Sequence, residues 1–375
     1  MYRFYRKRRV FNLGVLFMFA LGVVALSGVS GITGIDPVSA QSAAPEIATV
    51  NPAEMLYQLT GNHTEMSEWG IDLPHSTEGY PAAVYGTDIG AMYYHKNKIY
   101  FLFGDTFGAD APSGGGRTNW RHNVIAQSSD LSPGTDIVLG NWCVTNQSDG
   151  LGCIPLRSST DTTAIPTSGW SDGTNQYAWV MHVGNWKQPA TTFYGGIWRS
   201  TDDNWYSPAP QRIGNFPAGS YFVLGTMMDA GDSYLYVYGT KAYRQGGVHL
   251  ARIAKSKLSG TNIQTKFEYF CGYVNGAPTW NCTDQASYVV VGGNVGELSV
   301  IKNPHNGKYM MLYLDMDNGG ISFRASDTPW GNWTDSTLVA DGWDPMFYSL
   351  YGSYMVPQYV FRNSGTDLRD PLIFL

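Results

Sequence analysis

From Thr60 onward the chain is patterned in short apolar runs rich in Tyr, Val, Phe and Leu, each closed by Gly, Asn, Asp or Pro. Helical periodicity is almost absent, and the pattern predicts an all-β protein. The longest stretch with any helical character, Gly247–Leu258, reads equally well as a strand. The clearest element is a β-hairpin over residues 86–107, with two aromatic-rich strands around a turn at Lys96-Asn97. Residues equidistant from that turn face each other in a symmetric antiparallel hairpin, which sets Asp88 opposite Asp105. Like charges placed there repel, so the pair is a candidate catalytic site; the alternative is that each Asp caps a turn beside Gly86 or Gly104.

The hairpin heads a weak internal repeat. Each unit has a strand leaving a glycine-rich loop, an aromatic-rich strand, and a third strand ending in Ser or Thr with Asp. The third strands include Asn123–Asp130, Gly196–Asp202, Val248–Ser256 and Ile321–Asp327, and a fifth unit starts at Tyr351 and reaches Leu375. Five such units predict a five-bladed β-propeller, with a β-sandwich as the alternative. The fifth unit is short, so it is either closed by a strand from residues 55–85 or left incomplete.

In a propeller the innermost strands line one funnel, and residues at equivalent strand starts converge there. Gly296-Glu297-Leu298-Ser299 enters its unit as Thr87-Asp88-Ile89-Gly90 does, which adds Glu297 to Asp88 and Asp105. Three acids at one mouth supply an acid, a base or nucleophile, and a pKa modulator. Arg121, His122, Asn123, His182 and Trp186 are candidate contacts to substrate hydroxyls. Asp229, read as opening the third unit, and Asp315 are further acids. For each of these, a structural or surface role is the alternative.

Composition narrows the function. Arg3, Arg6, Lys7, Arg8 and Arg9 precede an apolar stretch and a small-residue site at Val38-Ser39-Ala40, so residues 1–40 read as a signal peptide, with an uncleaved anchor as the alternative. Residues 41–54 form a low-complexity lead, and 55–375 a single propeller domain. Of 24 Lys+Arg and 30 Asp+Glu, five basic residues and Asp36 lie in the leader, leaving 19 against 29. That balance argues against nucleic acid or an anionic membrane surface as the partner. The spacing of the 4 cysteines suggests two local bridges, Cys143–Cys153 and Cys271–Cys282, which suits an exported protein and lacks zinc-site spacing. Asn62, Asn146, Asn281 and Asn332 head glycosylation sequons. No metal or cofactor is expected, there is no serine-hydrolase elbow, P-loop or dinucleotide fingerprint, and a monomer is expected.

Gly86-Thr87-Asp88-Ile89-Gly90, Phe103-Gly104-Asp105-Thr106-Phe107, Gly296-Glu297-Leu298-Ser299-Val300 and Pro329-Trp330-Gly331-Asn332-Trp333 together resemble the domain of unknown function 4185, grouped as endo-D-arabinanases of glycoside hydrolase family 183. The resemblance covers roughly residues 55–375. It implies a five-bladed propeller, cleavage of internal D-arabinofuranosidic bonds in the arabinogalactan and lipoarabinomannan of mycobacterial-type envelopes, and Asp88 and Asp105 as catalytic positions. A glycan-binding propeller or adhesin without catalysis is the alternative from another class. A sialidase-like propeller is the third reading, and it requires an arginine cluster drawn from Arg117, Arg121, Arg199, Arg244 and Arg324.

Overall fold

The structure is a computed structural model; it describes Ala53, Leu59, Thr60, Val84 and most of residues 86–374. The signal segment, the lead save Ala53, the segment 55–85 save Leu59, Thr60 and Val84, the triple-glycine loop 114–116, Arg117, Asn62 and Asn146 lie outside the described residues.

Antiparallel sheets follow one another along the chain. The first holds β1 (Gly86–His95), β2 (Lys98–Phe107), β3 (Val124–Ser128) and β4 (Gly140–Cys143) in sequence order. The second holds β5 (Thr163–Ser171), β6 (Gln176–Val183), β7 (Phe193–Ser200) and β8 (Gln211–Phe216). The third runs from β9 (Leu224–Asp229) through β10 (Tyr234–Lys241), β11 (Gln245–Ala254) and β12 (Glu268–Val274) to β13 (Ala277–Cys282), with β14 (Val289–Val291) also paired to β11. The fourth holds β15 (Val295–Lys302), β16 (Tyr309–Asp315), β17 (Gly320–Ser326) and β18 (Thr337–Asp341). Last comes a two-stranded sheet of β19 (Ser353–Met355) and β20 (Leu372–Phe374). The ambiguous stretch 247–258 is therefore mostly strand.

The first strands of the sheets form the inner ring. β1 packs on β5, β5 on β9, β9 on β15, and β19 touches both β15 and β1. This is a propeller-like arrangement of four complete blades, not the expected five. The fifth position is filled, among the described residues, by the two-stranded sheet alone. Hydroxyls on the inner strands tie neighbouring blades: Thr167 Oγ1 donates to Gly225 O, Ser168 Oγ accepts from Met227 N, and Ser299 Oγ accepts from Met355 N. These bonds satisfy backbone groups that no ladder reaches at the blade junctions. The disulfides are Cys143–Cys153 and Cys271–Cys282, as the spacing suggested. Trp330 and Trp333 pack onto the third blade, meeting Trp280 and Tyr238 respectively, so this turn joins blades.

The opening hairpin has its turn where expected, with φ of 45° at Lys96 and 64° at Asn97, as a type I′ turn requires. Its register departs from symmetry at the far end. Thr87 pairs with Thr106 as symmetry demands, but Ile89 pairs with Phe103, so Asp88 and Asp105 sit in a bulge and not directly across a ladder. The extended geometry is broken at Ile89, whose φ of 63° is rare for a β-branched residue.

Candidate active site

All inner strands begin at one end of the funnel. The bulge in β1 turns the Asp88 side chain onto Gly104, and its Oδ1 lies where a Cβ at residue 104 would stand. Only glycine leaves that space. β15 has a bulge at the equivalent place, since Val295 pairs with Asp315 and Leu298 with Tyr313, and Glu297 lies in it. The two acids thus come from matching defects on blades one and four, and a defect of this kind re-aims a side chain out of the sheet.

The three acids have different surroundings. Asp88 Oδ1 is buried and has no hydrogen-bond partner among the described residues. Burial, with the charges of Asp105 and Glu297, pushes the Asp88 carboxyl up to about 8, against smaller opposing effects of the Asp105 backbone N–H and Arg244. Asp105 Oδ1 accepts from Thr163 Oγ1 at 2.6 Å and from Trp120 Nε1 at 3.1 Å. Trp120 can only donate, so this pattern favours the carboxylate form. Glu297, 2% exposed, is gripped by Arg244 through Nε at 3.1 and 3.2 Å and Nη2 at 3.0 Å. Its backbone carbonyl accepts from Ser353 Oγ on β19.

Arg244 sits in the β10–β11 turn, where Tyr243 and Arg244 both take left-handed φ, 44° and 61°. Its guanidinium lies 4.8 Å from the Tyr243 ring and 5.0 Å from the Tyr351 ring. Trp186, 41% exposed, meets Tyr243 edge-to-face at 5.3 Å. An aromatic rim therefore runs from Trp186 to the acids. Tyr354, fully buried, is held protonated by burial and the charges of Glu297 and Asp88, and its hydroxyl has no partner among the described residues.

The other sequence candidates are placed elsewhere. His122 and Asn123 are buried, with His122 Nε2 on Ile154 O and Asn123 Nδ2 on Ile154 O and Ala164 O, so they hold the segment after Gly152. Arg121 is wholly buried and its backbone bridges to Thr106. His182 is buried, accepting from Trp198 Nε1 at 3.1 Å, with Nδ1 3.3 Å from Asp161. The indole N–H donates to Nε2, which places the imidazole proton on Nδ1. Asp229 corrects an expectation: it ends β9 instead of beginning it, and so lies at the opposite end of the inner strands from Asp88 and Glu297. There it binds Lys255 at 2.6 Å and accepts from Trp170. Asp315 accepts from Asn318, Ser322 and Tyr313 and closes its own turn. Arg199 bonds Ser259 O beyond β11, Arg244 bonds Glu297 on β15 and Arg324 bonds Thr334 O beside its own blade, so these three are tied at separate places and not gathered into a cluster. Thr163, Trp120 and Tyr354 were missed by sequence reasoning, while Arg244 was named only for the arginine cluster of the sialidase-like reading and Tyr351 only as the start of the fifth unit. Among the described residues no group of three or more His, Cys, Asp and Glu could hold a metal.

With this geometry in view, the comparisons with known proteins are specific at the family level. The domain of unknown function DUF4185 matches residues 76–370, and the chain belongs to that family. None of the curated proteins compared with it matches. One similar solved structure, described as a "putative hydrolase" from Bacteroides ovatus ATCC 8483, has TM-score 0.50 and 16% identity over 68% of this chain and 70% of that one. The exo-beta-1,3-galactanase of Phanerochaete chrysosporium has TM-score 0.43 and 11% identity over 77% of this chain and 53% of that one. A GH43 beta-xylosidase/alpha-arabinofuranosidase from a compost microbial metagenome has TM-score 0.43 and 13% identity over 73% and 82%. At such identities the likeness is one of fold.

Proposed function

We propose that the protein is an exported glycoside hydrolase that cleaves internal bonds of D-arabinan. The observation that carries this reading is the division of labour between two neighbouring carboxyls. Asp88 keeps its proton to about pH 8, and Asp105 accepts two hydrogen bonds that favour its anion. Glycosidic cleavage needs one carboxyl of each kind.

Asp88 gives its proton to the glycosidic oxygen as the bond from that oxygen to the anomeric carbon breaks. Asp105 supplies the opposing attack, as nucleophile or by taking a proton from water, and the anomer formed first distinguishes the two. Glu297 and Arg244 act as a fixed ion pair whose carboxylate helps keep Asp88 protonated. The rim from Trp186 through Tyr243 supplies flat apolar surface on which sugar rings stack. The D-arabinan substrate rests on the motif resemblance around Asp88, Asp105 and Glu297.

The test is incubation of the purified protein with arabinogalactan and lipoarabinomannan, with sizing of the products. Release of short arabinan oligosaccharides by wild type, lost in Asp88→Asn and Asp105→Asn, is expected. Tight binding with no new reducing ends would instead assign a glycan-binding propeller.

A further inference from the structure

A cavity of about 210 Å³ opens at the other end of the inner strands, away from Asp88 and Glu297. Every unit of the ring lines it, and its chemistry is unlike that of the acid site. Met92 from β1, Met228 from β9 and Met355 from β19 form apolar wall, all buried. Trp170 adds an aromatic face that cannot swing away, because its indole N–H donates to Asp229 Oδ2 at 3.2 Å. Methionine thioethers adapt to irregular apolar shapes and make favourable contacts with aromatic rings.

The rim carries one carboxylate, Asp229, and one ammonium, Lys302. Asp229 is matched by Lys255 Nζ at 2.6 Å. Lys302, which also lines the cavity, donates to Ala230 O at 3.1 Å and lies 5.6 Å from the Tyr309 ring. Among the described residues it has no carboxylate partner. A cationic group at the edge of an apolar, Met- and Trp-walled space selects a ligand with a flat apolar body and an anionic end. An apolar cavity of about 150 Å³ is already enough to hold benzene, so this one has room for a ring and a short arm. A polyhydroxylated sugar would bury its hydroxyls against thioethers that accept hydrogen bonds only weakly.

We propose that this cavity is a binding site for small aromatic carboxylates, separate from the acid cluster and independent of the reaction assigned to it. The full chain is titrated with phenylacetate, benzyl alcohol and D-arabinose, following tryptophan fluorescence and heat. Saturable phenylacetate binding is expected, with benzyl alcohol about tenfold weaker because it cannot pair with Lys302. Lys302→Gln is expected to bring phenylacetate down to the level of the alcohol. Met228→Trp fills the cavity and is expected to abolish binding of both. Absence of saturable phenylacetate binding, equal affinity of acid and alcohol, or preferential binding of the sugar would each overturn the assignment. Lys302 is partly exposed, and unfolding curves of Lys302→Gln check that the variant reports on binding and not on folding.

Discussion

The carboxyl of Asp88 rests on Gly104, in the space a side chain at residue 104 would occupy. A methyl group there meets Asp88 Oδ1 first and Ile165 Cγ2 at 3.1 Å second. Gly104→Ala is therefore expected to displace the Asp88 carboxyl while the rest of the hairpin keeps its ladder. A shift of about 1 Å in a catalytic group costs on the order of 10²-fold in rate. Arabinan cleavage by Gly104→Ala should fall by about that factor, with circular dichroism unchanged. Wild-type rates in a correctly folded variant would remove Asp88 from the mechanism.

The proton on Asp88 predicts two pH effects. Activity that needs this proton should decline as pH rises through about 8, where the carboxyl ionises. Stability follows the same group. Its ordinary value is 3.8, so between roughly pH 4 and 8 the folded protein holds a proton that the unfolded chain releases. Stability contributed by that proton is complete below the lower value and is lost as pH rises through the higher one. Asp88→Asn cannot ionise, and should melt a few degrees above wild type at pH 8.5 and close to it at pH 4. Equal melting points at both pH values would show that the carboxyl is not held in its protonated form.

What was legible in the sequence was the part set by local rules. Alternating strands, the Lys96-Asn97 turn and the nearby cysteine pairs all follow from short-range preferences. Asp88 and Glu297 were found because they share a motif at equivalent strand starts. Asp229 was misplaced because a unit's first strand was read from its last residues, and the five positions from Leu224 to Asp229 carry a side chain from one end of that strand to the other. Arg244 was out of reach for a different reason. It joins Glu297 across 53 residues from a turn that takes left-handed geometry at two non-glycine positions, which no local preference predicts. Direct facing of Asp88 and Asp105 failed because turn symmetry takes no account of a bulge.

Thr163 is the donor that holds Asp105, at 2.6 Å from the neighbouring blade. Thr163→Val keeps the shape and removes the hydroxyl, leaving Asp105 oriented chiefly by Trp120. Its effect should fall on kcat, by about tenfold, with little change in KM, because Thr163 acts on the carboxylate and not on the substrate. Thr163→Ser restores a hydroxyl and should recover much of the rate. Failure of serine to rescue would assign Thr163 to packing alone.

Arg244 faces a sharper energetic test than any catalytic residue. Glu297 has a side chain only 3% exposed, whereas that of Arg244 is 19% exposed, so the pair is buried chiefly on the acid side. Removing the guanidinium leaves a buried carboxylate with its Coulombic partner gone, a loss of roughly 3 kcal/mol in urea unfolding. Removing both charges together need not cost more than removing one, since an uncharged pair pays no desolvation for an ion. Arg244→Met should therefore be strongly destabilised at pH 7, and Arg244→Met with Glu297→Gln should regain most of that stability. The double variant separates fold from function: it should fold nearly as wild type does while Asp88 loses the neighbouring negative charge. Its activity limb should then move to lower pH, and an unmoved limb would exclude Glu297 from controlling Asp88.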